Sequence, residues 1–391
     1  MRILVRTSTS AWTGRRHVAV RLLSTRWALA AVYGATGEPS SVMRVVVREL
    51  PQELGASEVA IRMLAAPVNP SDLNQIEGTY PVRGRFADVR RLLADGEGGG
   101  GCVERLAVGG NEGVGVVEAV GAAVRDVRAG EWVVPAQAGE FGTWCTHAVV
   151  GRAQVIRIAD QWREGVDAAV VAALKVNAST AYRLLRDFGD LQAGDWVIQN
   201  GANSGVGRAV IQLARARGVH TVNVVRDRGA DAHAQLADEL QRLGADVVVR
   251  DTELGSAEFR ERMRALGSPR VALNCVGGRA ALAMARHVAE GAWLVTYGAM
   301  ARQPVVLPAS LLLFRDVRAC GFWMNRWYAQ HAAAERDDMW RAILALARER
   351  RFEAPPMQRV PWPAGLRADA AQELVRAAVA WDGGAKRLFE F

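Results

Sequence analysis

The chain has 391 residues, half of them hydrophobic, and a formal net charge of +8. That length can bury a substantial core and points to two domains, while no stretch approaches the ~18 consecutive apolar residues of a membrane span. The basic balance does not indicate nucleic-acid binding, because residues 1–40 hold six arginines against one acid, Glu38, and their net +5 leaves only +3 for the rest of the chain.

The amino-terminal arginines (Arg2, Arg6, Arg15, Arg16, Arg21 and Arg26) stand among Ser and Thr with no acid before Glu38. This is the pattern of a mitochondrial transit peptide over 1–40, and hence of a matrix address. The alternative is an extension with no address, since the chain prefers arginine throughout and has only two lysines, Lys175 and Lys386. From 42 to about 170, short β-branched runs alternate with glycine turns, and 113–120 and 131–135 read as strands of a compact, mainly β domain. Within it, 81–108 has little regular apolar pattern and the run 98–101 is all glycine, so a flexible loop is expected there.

Around Asp167 the pattern changes to a helical Ala/Val run and then to alternation. Strands are expected at 195–198, 221–225, 246–249, 271–275 and 292–297, and helices at 231–243, 256–266 and 279–287, which implies a parallel, doubly wound sheet. A last amphipathic helix is expected over 337–350. Cys102, Cys145, Cys275 and Cys320 lie far apart with no Cys-x-x-Cys pair, a spacing that supports neither a disulfide framework nor a structural zinc lobe.

The most informative stretch is 196–228, which reads as strand, glycine-rich turn, helix and second strand. Small residues over 201–207 let the backbone approach a pyrophosphate, whose charge the following helix N-terminus favours. Aligned on G-x-G-x-x-G the positions are Ala202, Ser204 and Gly207, so the fingerprint is degenerate and its context carries the reading. At the end of the second strand Arg226 stands where an acid would hold a ribose hydroxyl. A guanidinium suits a 2′-phosphate that a carboxylate would repel, so the expected cofactor is NADPH rather than NADH. A solvated charge at a strand tip is the bland alternative for Arg226.

With this turn placed mid-chain behind a β-rich domain, residues 42–391 resemble the medium-chain dehydrogenase/reductase superfamily, and within it the mitochondrial trans-2-enoyl-thioester reductases. The blocks that carry the resemblance are VNPSDLNQIEGTY (68–80), GGNEGVG (109–115), QNGANSGVG (199–207), VVRDR (224–228), LNCVGG (273–278), VTYGAM (295–300) and GFWMN (321–325). The resemblance implies an α/β fold with a Rossmann doubly wound parallel sheet over 173–322, which binds NADPH. A β-rich GroES-like catalytic domain would comprise 42–172 and 323–391, with 81–108 as a loop insertion. Zinc-dependent relatives place ligands where this chain has Asn69 and Asn111. Neutral amides are poor zinc ligands, so no metal is expected.

The resemblance further implies reduction of enoyl-CoA or an enoyl-acyl-carrier-protein in mitochondrial fatty acid synthesis, with Tyr80 as the catalytic acid. A phenol stays protonated at neutral pH and can donate. Asn177, Asn203, Ser204, Gly205 and Val206 would line the pyrophosphate and nicotinamide path. Arg226, Asp227 and Arg228 would take the 2′-phosphate end. Tyr297, Gly298, Ala299, Met300, Phe322, Trp323, Met324, Asn325 and Lys386 match further cofactor-contacting positions, although ordinary core packing is an equal reading for Phe322 and Trp323. A homodimer is implied, and the apolar run 305–313 could contribute to it or be buried within one subunit. Two other functions stay open: an NADPH:quinone oxidoreductase and a non-catalytic NADPH-binding protein.

Overall fold

The computed structural model describes residues 27–92, 101–363, 365, 367–380 and 385–391. The first part of the chain is built from strands β1 (Trp27–Tyr33), β2 (Arg44–Glu49), β3 (Glu58–Val68), β4 (Ala87–Leu92), β5 (Gly101–Val108), β6 (Val114–Val120), β7 (Trp132–Pro135), β8 (His147–Gly151) and β9 (Val155–Ile158). The middle contributes β10 (Trp196–Asn200), β11 (His220–Val225), β12 (Val247–Arg250), β13 (Val271–Asn274), β14 (Trp293–Thr296) and β15 (Arg318–Gly321), and the C-terminal part β16 (Met357–Pro361) and β17 (Lys386–Glu390).

The middle strands make one six-stranded sheet in the order β12-β11-β10-β13-β14-β15, parallel throughout. The order reverses at β10, so a crevice opens at the carboxyl ends of β10 and β13, where open α/β sheets bind ligands. β10 and β13 are almost wholly buried, as strands covered by helices on both faces must be. The expected α/β fold with a doubly wound sheet is therefore observed. It also carries β15, an edge strand that the sequence did not reveal.

The remaining strands form two assemblies. A seven-stranded sheet runs β16-β17-β3-β6-β7-β9 with β8 also on β3, so the last strand of the chain closes against the long third one. β1, β2, β4 and β5 close into a small barrel. No helix among the described residues is long and apolar enough to cross a membrane.

The barrel corrects two expectations. The transit peptide expected over 1–40 overlaps β1, whose residues Ala28 to Tyr33 are fully buried and paired with β2 along their length. The folded part thus includes residues from Trp27, and the remainder of that expectation, 1–26, lies outside the described residues. The flexible loop expected over 81–108 is largely the antiparallel pair β4 and β5, with 93–100, including Gly98 to Gly100, outside the described residues. The pair escaped notice because charged residues interrupt both strands: Arg91 and Arg44 both bond Glu104, and Arg90 pairs with Glu49, although Leu106 and Ala107 are buried.

Candidate active site

The crevice is a cleft of about 1580 Å³ between the parallel sheet and the seven-stranded one. Its floor is the glycine-rich turn. Ser204 caps the helix Gly205–Ala216, its hydroxyl accepting from Gly207 N–H at 3.1 Å. The amides of Gly205 and Val206 have no partner within the helix and line the cleft, as an anion site at a helix N-terminus requires. Gly207 is needed for close approach: a Cβ there would lie 2.5 Å from the carbonyl oxygen of Ala202.

At one end of the cleft stand Arg226, Arg228 and Arg242, all exposed and none with an ion pair among the described residues. Arg242, at the end of the helix Ala230–Leu243, is an addition that the sequence hid, because a cation in a helix's last turn is usual there. Asp227 does not line the cleft. Its carboxylate accepts from Gly229 N–H and the Thr252 hydroxyl and faces Arg250, and those bonds, the Gly229 one first, hold it below the usual carboxylate range. Asp227 thus shapes the turn after β11 instead of presenting a charge to a ligand.

At the other end stands Tyr80. The helix Pro70–Glu77 ends on Gly78 with φ of 83°, and Tyr80 N–H donates back to the Asn74 carbonyl at 3.1 Å, which fixes the chain just past the helix. The Tyr80 oxygen accepts from the indole N–H of Trp323 at 2.9 Å, with the rings edge to face. An indole N–H can only donate, so the phenol keeps its own proton free. Burial pushes the Tyr80 phenol up, the Trp323 bond opposes this, and Asp72 adds to the rise.

Between the ends lie Asn177, Asn203, Tyr297, Gly298, Ala299, Met300, Phe322, Met324, Asn325 and Lys386, all on the cleft wall. Burial pushes the Tyr297 phenol well above its ordinary value. The Lys386 ammonium nitrogen is buried and has no hydrogen-bond partner among the described residues. Burial pulls it down, and Glu112 and Asp72 hold it up.

Beneath these residues is a buried polar cluster. Asp72 accepts from the backbone N–H of Asn69 (2.8 Å) and Asn111 (3.0 Å) and from the Asn111 side chain (2.8 Å). The Asn111 amide also reaches Gln75, and its oxygen accepts from Gly139 N–H. The carboxamides at the two positions flagged as lost zinc ligands are thus engaged with neighbours. Glu112, fully buried beside them, was missed by sequence because an acid in a glycine-rich loop reads as solvated.

Residues 55–178 match the alcohol dehydrogenase GroES-like domain, and 205–344 the zinc-binding dehydrogenase family. The chain is 40% identical over 353 residues to the mitochondrial enoyl-acyl-carrier-protein reductase of Xenopus tropicalis, covering 90% of this chain and 93% of that one. Among solved structures it is similar to the Etr1p complex with NADP and crotonyl-CoA and to the mitochondrial 2-enoyl thioester reductase Etr1p/Etr2p heterodimer from Candida tropicalis. Each has a TM-score of 0.83 at 30% identity and covers 93% of this chain and 100% of that one.

Proposed function

The chain belongs to the mitochondrial enoyl-acyl-carrier-protein reductases of the medium-chain dehydrogenase/reductase superfamily, and on that premise we propose that the cleft reduces a trans-2-enoyl thioester with Tyr80 as the proton donor. The protein is an NADPH-dependent enoyl thioester reductase of mitochondrial fatty acid synthesis. Its residues fit the cofactor: a glycine-floored helix N-terminus suits the pyrophosphate, Arg226 and Arg228, with no ion pair among the described residues, suit the 2′-phosphate, and the Lys386 nitrogen on the cleft wall would suit an acceptor on the bound cofactor.

When bound, NADPH supplies the hydride that C3 of the substrate accepts. Negative charge then develops toward the thioester oxygen and C2, and Tyr80 gives its proton to C2. The Trp323 N–H remains on the phenolic oxygen and strengthens as charge forms there, because a bond to an ionised acceptor is roughly twice as strong as a neutral one. Solvent then restores the phenol's proton.

The observation that carries this reading is the Tyr80–Trp323 bond, in which the phenolic oxygen accepts and so keeps its own proton available, at a residue that lines the cleft floored by the glycine-rich turn. The test is NADPH oxidation by the purified chain, with crotonyl-CoA and a quinone compared side by side. Crotonyl-CoA should be turned over faster, and a preference for the quinone would overturn the assignment.

Two further parts of the reading concern the whole protein. The arginine-rich segment ahead of Trp27 would direct import. Two copies would pair through β15, the last strand of its sheet among the described residues, and through the neighbouring helix Ala309–Arg315, which exposes Leu313 (73%) and Phe314 (79%). An open edge beside an apolar patch is a surface that native proteins cover.

A further inference from the structure

Glu112 lies in the loop between β5 and β6, and three donors converge on its carboxylate. Val176 N–H bonds Oε1 at 2.6 Å, and the amides of Asn69 (3.0 Å) and Asn177 (3.4 Å) bond Oε2. Asn177 Nδ2 also donates to Asn69 Oδ1 at 3.2 Å. Val176 and Asn177 belong to a single turn of π-helix, Leu174–Ala178, a distortion frequent at functional sites. Asn177 Oδ1 lies against the glycine-rich turn, since a Cβ on Gly205 would stand 2.7 Å from it.

An ionised carboxylate only accepts, whereas a carboxamide donates from one end and accepts at the other. A carboxylate at the base of this chain therefore sets the direction of both amides. Asn69 must turn its NH₂ to Glu112, which leaves its oxygen for Asn177. Asn177 must turn its NH₂ inward, which leaves its oxygen facing the cleft as an acceptor. Burial pushes the Glu112 carboxyl up, while the Lys386 ammonium, the Val176 N–H and the Asn69 amide all favour its ionised form.

We propose that Glu112 is a positioning residue that fixes Asn177 Oδ1 as the acceptor for an N–H or O–H donor on the nicotinamide half of NADPH. This rests on the reading of Asn177 as part of the cofactor path. Glu112→Gln conserves volume but places an NH₂ at the base of the chain, so both amides can reverse and the cleft meets a donor in place of an acceptor.

The experiment compares the full chain with Glu112→Gln, Asn177→Ala and the double variant, measuring affinity for NADPH and for 2′,5′-ADP, which reaches only the adenosine end. Glu112→Gln should weaken NADPH about 10-fold, the worth of one hydrogen bond, and leave 2′,5′-ADP binding unchanged. In the Asn177→Ala background the same substitution should cost nothing more, because Glu112 acts through Asn177. If the Gln variant does not fold, judged by circular dichroism, Glu112→Asp keeps an acceptor-only group and enters the same cycle. Its smaller loss should again vanish without the Asn177 amide. Equal losses for both ligands, additive losses, or no loss with NADPH would overturn the proposal. Failure of the wild-type chain to bind NADPH would instead overturn the cofactor reading beneath it.

Discussion

Tyr80→Phe keeps the ring edge-on to Trp323 and removes the hydroxyl that accepts the indole bond and carries the transferable proton. NADPH affinity should hold while turnover of crotonyl-CoA falls roughly 10²–10⁴-fold, the usual range for a positioned general acid. Near-normal turnover would mean that water or another group protonates C2. Lys175 gives a second prediction at this scale. Burial brings its ammonium down from 10.5 to about 8, although Glu112 and Glu140 oppose the change. Between those values the unfolded chain holds a proton that the folded chain has released, so stability rises with pH across that window. The full effect is of order ~3 kcal/mol. Urea midpoints measured from about pH 7 to about pH 10 should climb in the wild type and less in Lys175→Met, and parallel curves would remove Lys175 as the source.

At the scale of elements, the turn that floors the cleft depends on one close approach. Gly207 has no unusual φ, yet a Cβ there would strike the Ala202 backbone, which cannot rotate away as a side chain could. Gly207→Ala should therefore push the helix Gly205–Ala216 off the end of β10, costing roughly 1–3 kcal/mol of stability and weakening NADPH. A denaturant midpoint equal to the wild type's would show that the turn relaxes freely. The same scale explains which elements were legible. β10, β11 and β13 are apolar runs bounded by turn residues, and the parallel sheet followed from their alternation with helices. β4 was not legible because its Asp88, Arg90 and Arg91 break the apolar pattern. β1 was masked by its neighbours, since an unbroken apolar run next to an arginine-rich segment reads as part of that segment.

For the whole molecule, the apolar run 305–313 resolves into a loop and a helix whose Leu312, Leu313 and Phe314 remain exposed beside β15. Burial of that run within one subunit is therefore not what the chain does with most of it, although Leu311 is packed inside. Phe314→Glu should convert a dimer to monomers by placing a charge in the center of that patch. Light scattering at micromolar concentration would check it, and a monomeric mass for the wild type would remove the dimer itself.

By itself the sequence determined the fold class and the cofactor, because each is written in a local pattern: alternation for the sheet, small residues ahead of a helix for the pyrophosphate, and an arginine at a strand end. Only the tertiary structure decided what those residues meet. Trp323 lies 243 positions from Tyr80, and no local pattern says that its N–H holds the phenolic oxygen. Glu112, just ahead of β6, and Lys386, at the start of β17, interact although they are far apart in sequence, and Asp227 turns away from the cleft while Arg242 joins it. The physical reason is the same each time: hydrogen-bond partnership and burial are long-range properties, fixed when distant segments pack.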